Sequence, residues 1–115
     1  MITLICPVKR RAGLSAEEYH RHWREVHARL ISGTPTLARH LDGYTQYPAA
    51  PSSYLNGQEP PWDGVAVARY ASPAAMQALF AEPDYRRLLQ PDENYLSDPA
   101  RVQWILCETP NRVIG

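Results

Sequence analysis

Apolar residues recur at three- and four-residue steps between Ser15 and Ile31, which is the spacing of one face of an α-helix. Ser15 followed by Glu18 is a capping box, the usual signature of a helix start. The pattern therefore predicts a helix that begins near Ala16 and buries one apolar stripe against the rest of the protein. The stripe consists of Tyr19, Trp23, Val26, Leu30 and Ile31.

Four short stretches rich in aliphatic, β-branched or aromatic residues predict β-strands. They are Ile2–Val8, Leu41–Tyr47, Val65–Tyr70 and Arg101–Cys107. A second helix is predicted from Ser72, which is its cap, with Pro73 in the first turn. Pro83 interrupts this helix, and a further helical segment ends near Gln90 or continues beyond Pro91.

The segment Pro48–Gly64 separates the second and third predicted strands and is dense in proline and glycine. This density predicts a long loop without regular structure, which serves as a lid or as a mobile surface excursion. Trp62 and Asp63, near its end, are candidates to close over a ligand. Alternatively, Asp63 is a turn residue before Gly64 that satisfies its own backbone.

The order strand, helix, strand, strand, helix, strand predicts one domain over residues 1–115. It is the α+β, ferredoxin-like βαββαβ pattern, with both helices on one face of a four-stranded antiparallel sheet. The other face is left bare, although the first and last strands carry apolar residues on both sides. A second copy that covers this face would form a symmetric homodimer of the barrel kind.

The 12 basic and 12 acidic residues cancel, so charge favours neither nucleic acid nor an anionic membrane as a partner. No apolar run is long enough to span a bilayer, and the amino-terminal charges follow the first apolar segment, unlike those of a signal peptide. Cys6 and Cys107 lie in apolar runs and are expected to be free thiols. A cytoplasmic location is therefore expected.

His27 is the candidate for chemistry, because an imidazole at the edge of an apolar face can exchange a proton near neutral pH. The alternative is a structural histidine that bonds a backbone carbonyl. Trp23 and Tyr19 are candidates for an aromatic wall of a ligand pocket, or else core residues. Tyr44, on the second strand, can orient or protonate an oxyanion, or else lies in a dimer interface.

The other histidines of the first helix are expected to be peripheral. His20 is expected in solvent, and His22 at solvent or at a partner subunit. No metal site is expected, because His20 and His22 diverge on a helix and the five-residue step from His22 to His27 does not align them. No glycine pattern, P-loop or nucleophile elbow indicates a flavin, nicotinamide or ATP site, so no cofactor is expected.

The stretch MITLICPVKRRAGLSAEEYHRHWREVHARLI resembles the opening of the EthD family within the dimeric α+β barrel superfamily. The resemblance rests on Lys9-Arg10 after the first strand, on Gly13-Leu14-Ser15, and on Tyr19, Trp23 and His27 at four-residue steps. It extends to the closing strand and weakens across Pro48–Pro61. Arg29 departs from it, since the family often has proline after the histidine.

This resemblance implies a homodimer of ferredoxin-like protomers, each with a small pocket between helices and sheet. It also implies a cofactor-independent enzyme that acts by proton transfer on an aromatic polyketide, a lactone or a similar small hydrophobic acid. The reaction class would be that of a lyase, an isomerase or an oxygenase, with His27 moving the proton. The alternative is a non-catalytic accessory protein of a degradation pathway that binds a small molecule or heme.

Overall fold

A single antiparallel sheet organises the chain, and the computed structural model describes residues 1–115. Its strands are β1 (Ile2–Val8), β2 (Gly43–Pro48), β3 (Gly64–Tyr70) and β4 (Ile105–Cys107). Their order across the sheet is β2-β3-β1-β4, and every neighbouring pair is antiparallel. The predicted ferredoxin-like α+β fold is thereby confirmed.

Two long helices each combine an α-helical with a π-helical part. The first, α1, runs through Ala16–His22, the π-helical segment Trp23–His27, and Ala28–Ser32. After the short α2 (Pro35–Ala38) and α3 (Pro73–Ala81), the last helix, α4, joins the π-helical segment Tyr85–Leu89 to Gln90–Leu96. No helix is long and apolar enough to cross a membrane.

The start of α1 follows from local sequence. The Ser15 hydroxyl accepts a hydrogen bond from the Glu18 N–H at 3.0 Å, and the Glu18 carboxylate accepts one from the Ser15 N–H at 3.1 Å. This capping box satisfies two backbone donors that have no partner within the helix. The predicted start at Ala16 is confirmed.

The buried face of α1 differs from the predicted stripe. Its buried residues are Tyr19, Trp23, His27 and Ile31, which recur at steps of four, whereas Val26 is 41% exposed. A π-helical turn takes in more residues than an α-helical turn, so steps of four stay on one face through this segment. The inclusion of Val26 in the buried stripe was therefore wrong, and His27 is buried instead of lying at the edge.

The hydrophobic core lies between the helices and one face of the sheet. Its buried residues are Ile2, Leu4, Ile31, Leu37, Ala68, Tyr70, Leu79, Tyr85 and Leu89. On the other face no element covers the sheet, and Tyr47 and Ile105 are 57% and 53% exposed there. The helices thus cover only one face of the sheet.

Two connections differ from the sequence-based prediction. The segment Pro48–Gly64 contains 3₁₀-helical structure within Pro51–Gly57, interrupted by a kink at Leu55 and Asn56. Proline suits its first turn because it needs no N–H partner there. The last strand covers only Ile105–Cys107, since the Asp98 carboxylate caps a 3₁₀ turn at Pro99–Arg101. The prediction of an irregular loop and that of a strand from Arg101 were both wrong in extent.

Candidate functional site

A cavity of about 640 Å³ lies between the sheet and the helices. Hydrophobic residues supply 19 of the 30 that line it. Four of the six predicted site residues are among them, namely Tyr19, Trp23, His27 and Tyr44. The volume and the mainly apolar wall are typical of a site for a small organic molecule.

The Trp23 side chain is held against the sheet by a close approach at Gly64. A Cβ atom at this glycine would lie 3.1 Å from the indole ring and 2.6 Å from the Tyr47 carbonyl oxygen. Any larger residue would displace the ring, so glycine is required at this position. The rings of Tyr19 and Trp23 lie 5.7 Å apart and form one aromatic wall.

His27 is buried, and a carboxylate from α4 orients its ring. Its Nδ1 lies 2.8 Å from Asp92 Oδ2. The neutral tautomer that donates from Nδ1 leaves a lone pair on Nε2. No protein group forms a hydrogen bond with this Nε2. The nitrogen is not fully buried, because His20 Nδ1 is the one fully buried side-chain nitrogen or oxygen that lacks a hydrogen-bond partner. The His27 ring thus presents a proton acceptor to the cavity.

His22 contacts the same carboxylate, with its Nε2 2.6 Å from Asp92 Oδ1. The two histidines converge because the segment between them is π-helical, with the Ala28 N–H bonded to the Trp23 carbonyl five residues earlier. The expectation that a five-residue step leaves them unaligned was wrong. Burial alone would raise the pKa of Asp92, but hydrogen bonds from both imidazoles lower it below its usual value.

Tyr44 on β2 supplies a hydroxyl to the cavity. Burial raises the pKa of this phenol to about 12, so it is a neutral hydrogen-bond donor at physiological pH. Burial also raises the pKa of the neighbouring Cys6 thiol to about 11. Because a thiol is nucleophilic only as the thiolate, Cys6 is not set up for attack on a substrate.

Glu93 and Tyr85 of α4 also line the cavity. The Tyr85 hydroxyl donates a 2.7 Å hydrogen bond to Glu93 Oε1. Burial raises the pKa of Glu93 above its usual value. A carboxyl group of this kind is uncommon on an apolar wall, and it lies next in sequence to Asp92.

The cavity wall also carries basic side chains. Lys9, Arg11 and Arg101 line it, against Glu93 as the only acidic residue. Lys9 is paired with Glu59 at 2.5 Å, whereas the other two side chains donate to the carbonyls of Tyr95 and Pro61. Neither guanidinium has a carboxylate partner in the chain.

The remaining two predicted site residues, Trp62 and Asp63, lie outside the cavity lining. The Asp63 side chain is fully buried and accepts hydrogen bonds from the Arg10 guanidinium, the Arg10 N–H and the Tyr54 hydroxyl at 2.6, 2.8 and 2.7 Å. The Arg101 guanidinium lies over the Trp62 ring, with Arg101 Cζ 4.5 Å from the ring centroid. Both residues contact cations of the chain itself.

His20 joins the same polar cluster. Its Nε2 lies 3.0 Å from the Tyr54 hydroxyl, and the side chain is partly buried. The expectation that His20 lies in solvent was wrong, because the 3₁₀ turn carrying Tyr54 packs over it. No group of three or more histidine, cysteine or carboxylate side chains has an arrangement that could hold a metal ion.

The sequence of residues 11–100 matches the model of the EthD domain, which covers 90 of the 115 residues. The chain belongs to the EthD domain family. The proposed resemblance is thus confirmed by more than half of the chain. No curated protein is significantly similar to this EthD domain in sequence.

Solved structures share the fold of this EthD domain at low sequence identity. An EthD family protein of Bacillus halodurans superposes with a TM-score of 0.68 at 13% identity, over 96% of this chain and 99% of that one. HapK of Hahella chejuensis superposes with a TM-score of 0.68 at 16% identity, over 100% of this chain and 98% of that one. A protein of Arabidopsis thaliana superposes with a TM-score of 0.63 at 12% identity, over 99% of this chain and 100% of that one. At these identities the likeness establishes the fold alone.

Sequence reasoning missed Tyr85 and Glu93, which line the EthD cavity, and Asp92, which lies outside the lining and orients His27. The signal for the two carboxylates was the acidic pair directly after Pro91. It becomes readable once the helix is continued through Pro91, whose missing N–H falls in the first turn of the α-helical part of α4. The side of the helix that each carboxylate occupies then depends on the preceding π-helical segment.

Proposed function

We propose that this EthD domain is a cofactor-independent enzyme that transfers protons on a small hydrophobic acid. The substrate is an aromatic polyketide, a lactone or a similar small hydrophobic acid, and the reaction is of the lyase, isomerase or oxygenase type. The observation that carries the proposal is His27, which lines an apolar cavity and is held by Asp92 through Nδ1, so that no protein group occupies Nε2. A base held in this way is the arrangement that proton transfer requires.

The proposed chemistry begins when Nε2 of His27 removes a proton from a carbon next to a carbonyl group. The electron pair of the broken C–H bond moves toward the carbonyl oxygen, where Tyr44 donates a hydrogen bond to the developing charge. Asp92 stabilises the imidazolium that forms, since its carboxylate accepts from Nδ1 at 2.8 Å. Trp23 and Tyr19 hold the planar part of the substrate, while the apolar wall keeps water from the enolate.

The unpaired guanidiniums support the choice of an acid as substrate. Arg11 and Arg101 place positive charge beside an apolar cavity without any carboxylate to neutralise it. A charge-assisted hydrogen bond to a ligand carboxylate is stronger than a neutral one. A molecule with an apolar body and an anionic end therefore complements this site.

The charge argument gives a binding prediction. We expect 2-naphthoate to bind more tightly than the neutral 2-naphthamide, and Arg11→Ala or Arg101→Ala to weaken 2-naphthoate about tenfold, the value of one charge-assisted hydrogen bond. Calorimetric titration of both ligands measures the difference. Arg86→Ala is the matched control, because Arg86 is exposed and absent from the cavity wall. Equal affinities for acid and amide would contradict anion recognition.

Catalysis is tested with a ketone that enolises readily. In heavy water, the protein is expected to accelerate exchange of the α-protons of 2-tetralone for deuterium, which mass spectrometry measures. Exchange above the buffer rate supports a proton-transfer enzyme. Binding of 2-tetralone without any exchange would favour the non-catalytic accessory protein.

The homodimer is also a proposal, and it rests on the uncovered face of the sheet. Tyr47 and Ile105 are exposed there, and Ile5 and Val67 lie beside them on neighbouring strands. A second copy packed face to face would bury this surface. A solution mass of one chain, measured by light scattering, would contradict it.

The two free cysteines agree with the proposed cytoplasmic location.

A further inference from the structure

Asp92 and Glu93 are neighbours on α4 but lie in opposite environments. Asp92 accepts hydrogen bonds from two imidazoles, which lower its pKa despite the opposing effect of burial. Glu93 faces the apolar cavity, and burial raises its pKa. Two titratable groups whose environments shift their pKa values apart are the usual arrangement for a general acid beside a group that supports a general base.

The geometry at Glu93 leaves one of its oxygens free for a ligand. Oε1 accepts the bond from the Tyr85 hydroxyl, whereas no protein group bonds Oε2. Because Oε2 has no partner and is not among the fully buried unpartnered atoms, it keeps access to the cavity. In its protonated form the carboxyl group has its acceptor side fixed by Tyr85 and its O–H free to donate to a ligand.

We propose that Glu93 is the proton donor of this site, with its Oε2 delivering a proton to a substrate oxygen while His27 Nε2 accepts one from the adjacent carbon. This inference rests on the proposed function and adds a second proton-transfer group to it. The C–H bond breaks, its electron pair becomes the C=C bond of an enol, and the O–H bond of Glu93 breaks as that of the enol forms. No electrons leave the substrate, so no oxidant is needed.

Tyr85 is a positioning residue in this scheme. Its hydroxyl fixes the orientation of the carboxyl group and stabilises the carboxylate that remains after proton transfer. Burial raises the pKa of this phenol, so it stays a donor throughout. Besides Tyr85, the titratable groups that act on the pKa of Glu93 are His27, which lowers it, and Asp92, which raises it. Glu93 in turn raises the pKa values of Cys6, Tyr44 and Tyr70.

The exchange of 2-tetralone tests the role of Glu93 in turnover. Glu93→Gln is expected to lower the exchange rate about 100-fold, since a general acid contributes roughly 10² to 10⁴. Tyr85→Phe is expected to lower it less and to shift the pH profile of the rate to higher pH. Glu17→Gln is the matched control, because Glu17 is exposed and lies outside the cavity.

Loss of activity through unfolding is excluded by the melting temperature. A raised pKa means that ionised Glu93 costs folding free energy, a cost that grows as pH rises through the folded-state pKa. Glutamine carries no charge, so Glu93→Gln is expected to melt no lower than wild type at neutral pH.

Carbon-13 NMR of protein labelled at the glutamate carboxyl carbons tests the proton itself. We expect one carboxyl signal to titrate at a higher pH than the others and to be missing in Glu93→Gln. In Tyr85→Phe the midpoint of its titration is expected to move to still higher pH. Titration of every signal at ordinary pH overturns the inference whatever the activity. Exchange by wild type that Glu93→Gln leaves unchanged overturns it while the proposed function stands, whereas no exchange by wild type overturns both.

Discussion

Replacement of His27 by glutamine is expected to lower the rate of 2-tetralone exchange about 10³-fold, within the range that a general base contributes. The imidazole is the only base that the structure places on the cavity wall with its ring fixed by a carboxylate. Glutamine has a similar volume, and its amide can still donate to Asp92, so we expect the fold to be retained. The exchange rate and the melting temperature, measured together, check both parts.

The control for this substitution is His40→Gln. His40 also bonds a carboxylate, that of Glu82 at 2.8 Å, but it lies outside the cavity. Its replacement is expected to leave exchange unchanged. If His27→Gln retains full activity, the base assignment is wrong. If it only lowers the melting temperature, and the folded protein exchanges at the wild-type rate, His27 has a structural role.

Asp92→Asn is expected to lower the exchange rate about 100-fold without removing any group from the cavity wall, an effect in the range seen for residues that orient an active group. The amide offers one acceptor where the carboxylate serves two imidazoles. It also lacks the charge that stabilises the imidazolium. We expect the affinity for 2-naphthamide to stay unchanged while the rate falls. An equal loss of binding and rate would instead indicate that Asp92 maintains the shape of the cavity.

Local signals in the sequence were sufficient for most of the fold. The Ser15 capping box is a contact between residues three apart, so it forms wherever the sequence allows a helix. The strand boundaries at Val8 and Tyr70 follow from composition in the same way. The order of these elements then leaves few possible topologies, and the ferredoxin-like sheet is one of them.

The π-helical segments could not be predicted from the same signals. An α-helical and a π-helical turn differ by about one residue, and the apolar spacing around Trp23 accommodates both. The choice is favoured by a contact 65 residues away in sequence, where Asp92 accepts from His27. The position of His22 beside His27 follows from that long-range contact and has no local signal.

The role of Asp63 was hidden for a related reason. An aspartate before a glycine, at the end of a proline-rich segment, has the local pattern of an exposed turn residue. In the structure its partners come from distant positions, with Arg10 53 residues earlier in the chain. Burial of this carboxylate is therefore a property of the assembled fold, which no short stretch of sequence encodes.

Asp63→Asn is expected to lower the free energy of unfolding by about 3 kcal/mol, the lower end of the range for breaking a buried ion pair. The carboxylate accepts three hydrogen bonds with no solvent exposure. An amide of the same shape offers one oxygen, and its NH₂ group would face a donor, either the Arg10 N–H or the pair of Arg10 Nη1 and the Tyr54 hydroxyl. Urea denaturation of wild type and variant measures the difference.

The matched control is Asp42→Asn, because Asp42 is exposed and makes no side-chain hydrogen bond or ion pair. Its effect is expected to stay within about 0.5 kcal/mol, as for most surface substitutions. Below its unfolding transition, Asp63→Asn is expected to bind 2-naphthoate as wild type does, since Asp63 lies outside the cavity lining. Unchanged stability combined with a loss of 2-naphthoate binding would contradict this assignment and would make Asp63 a ligand-binding residue instead of a structural one.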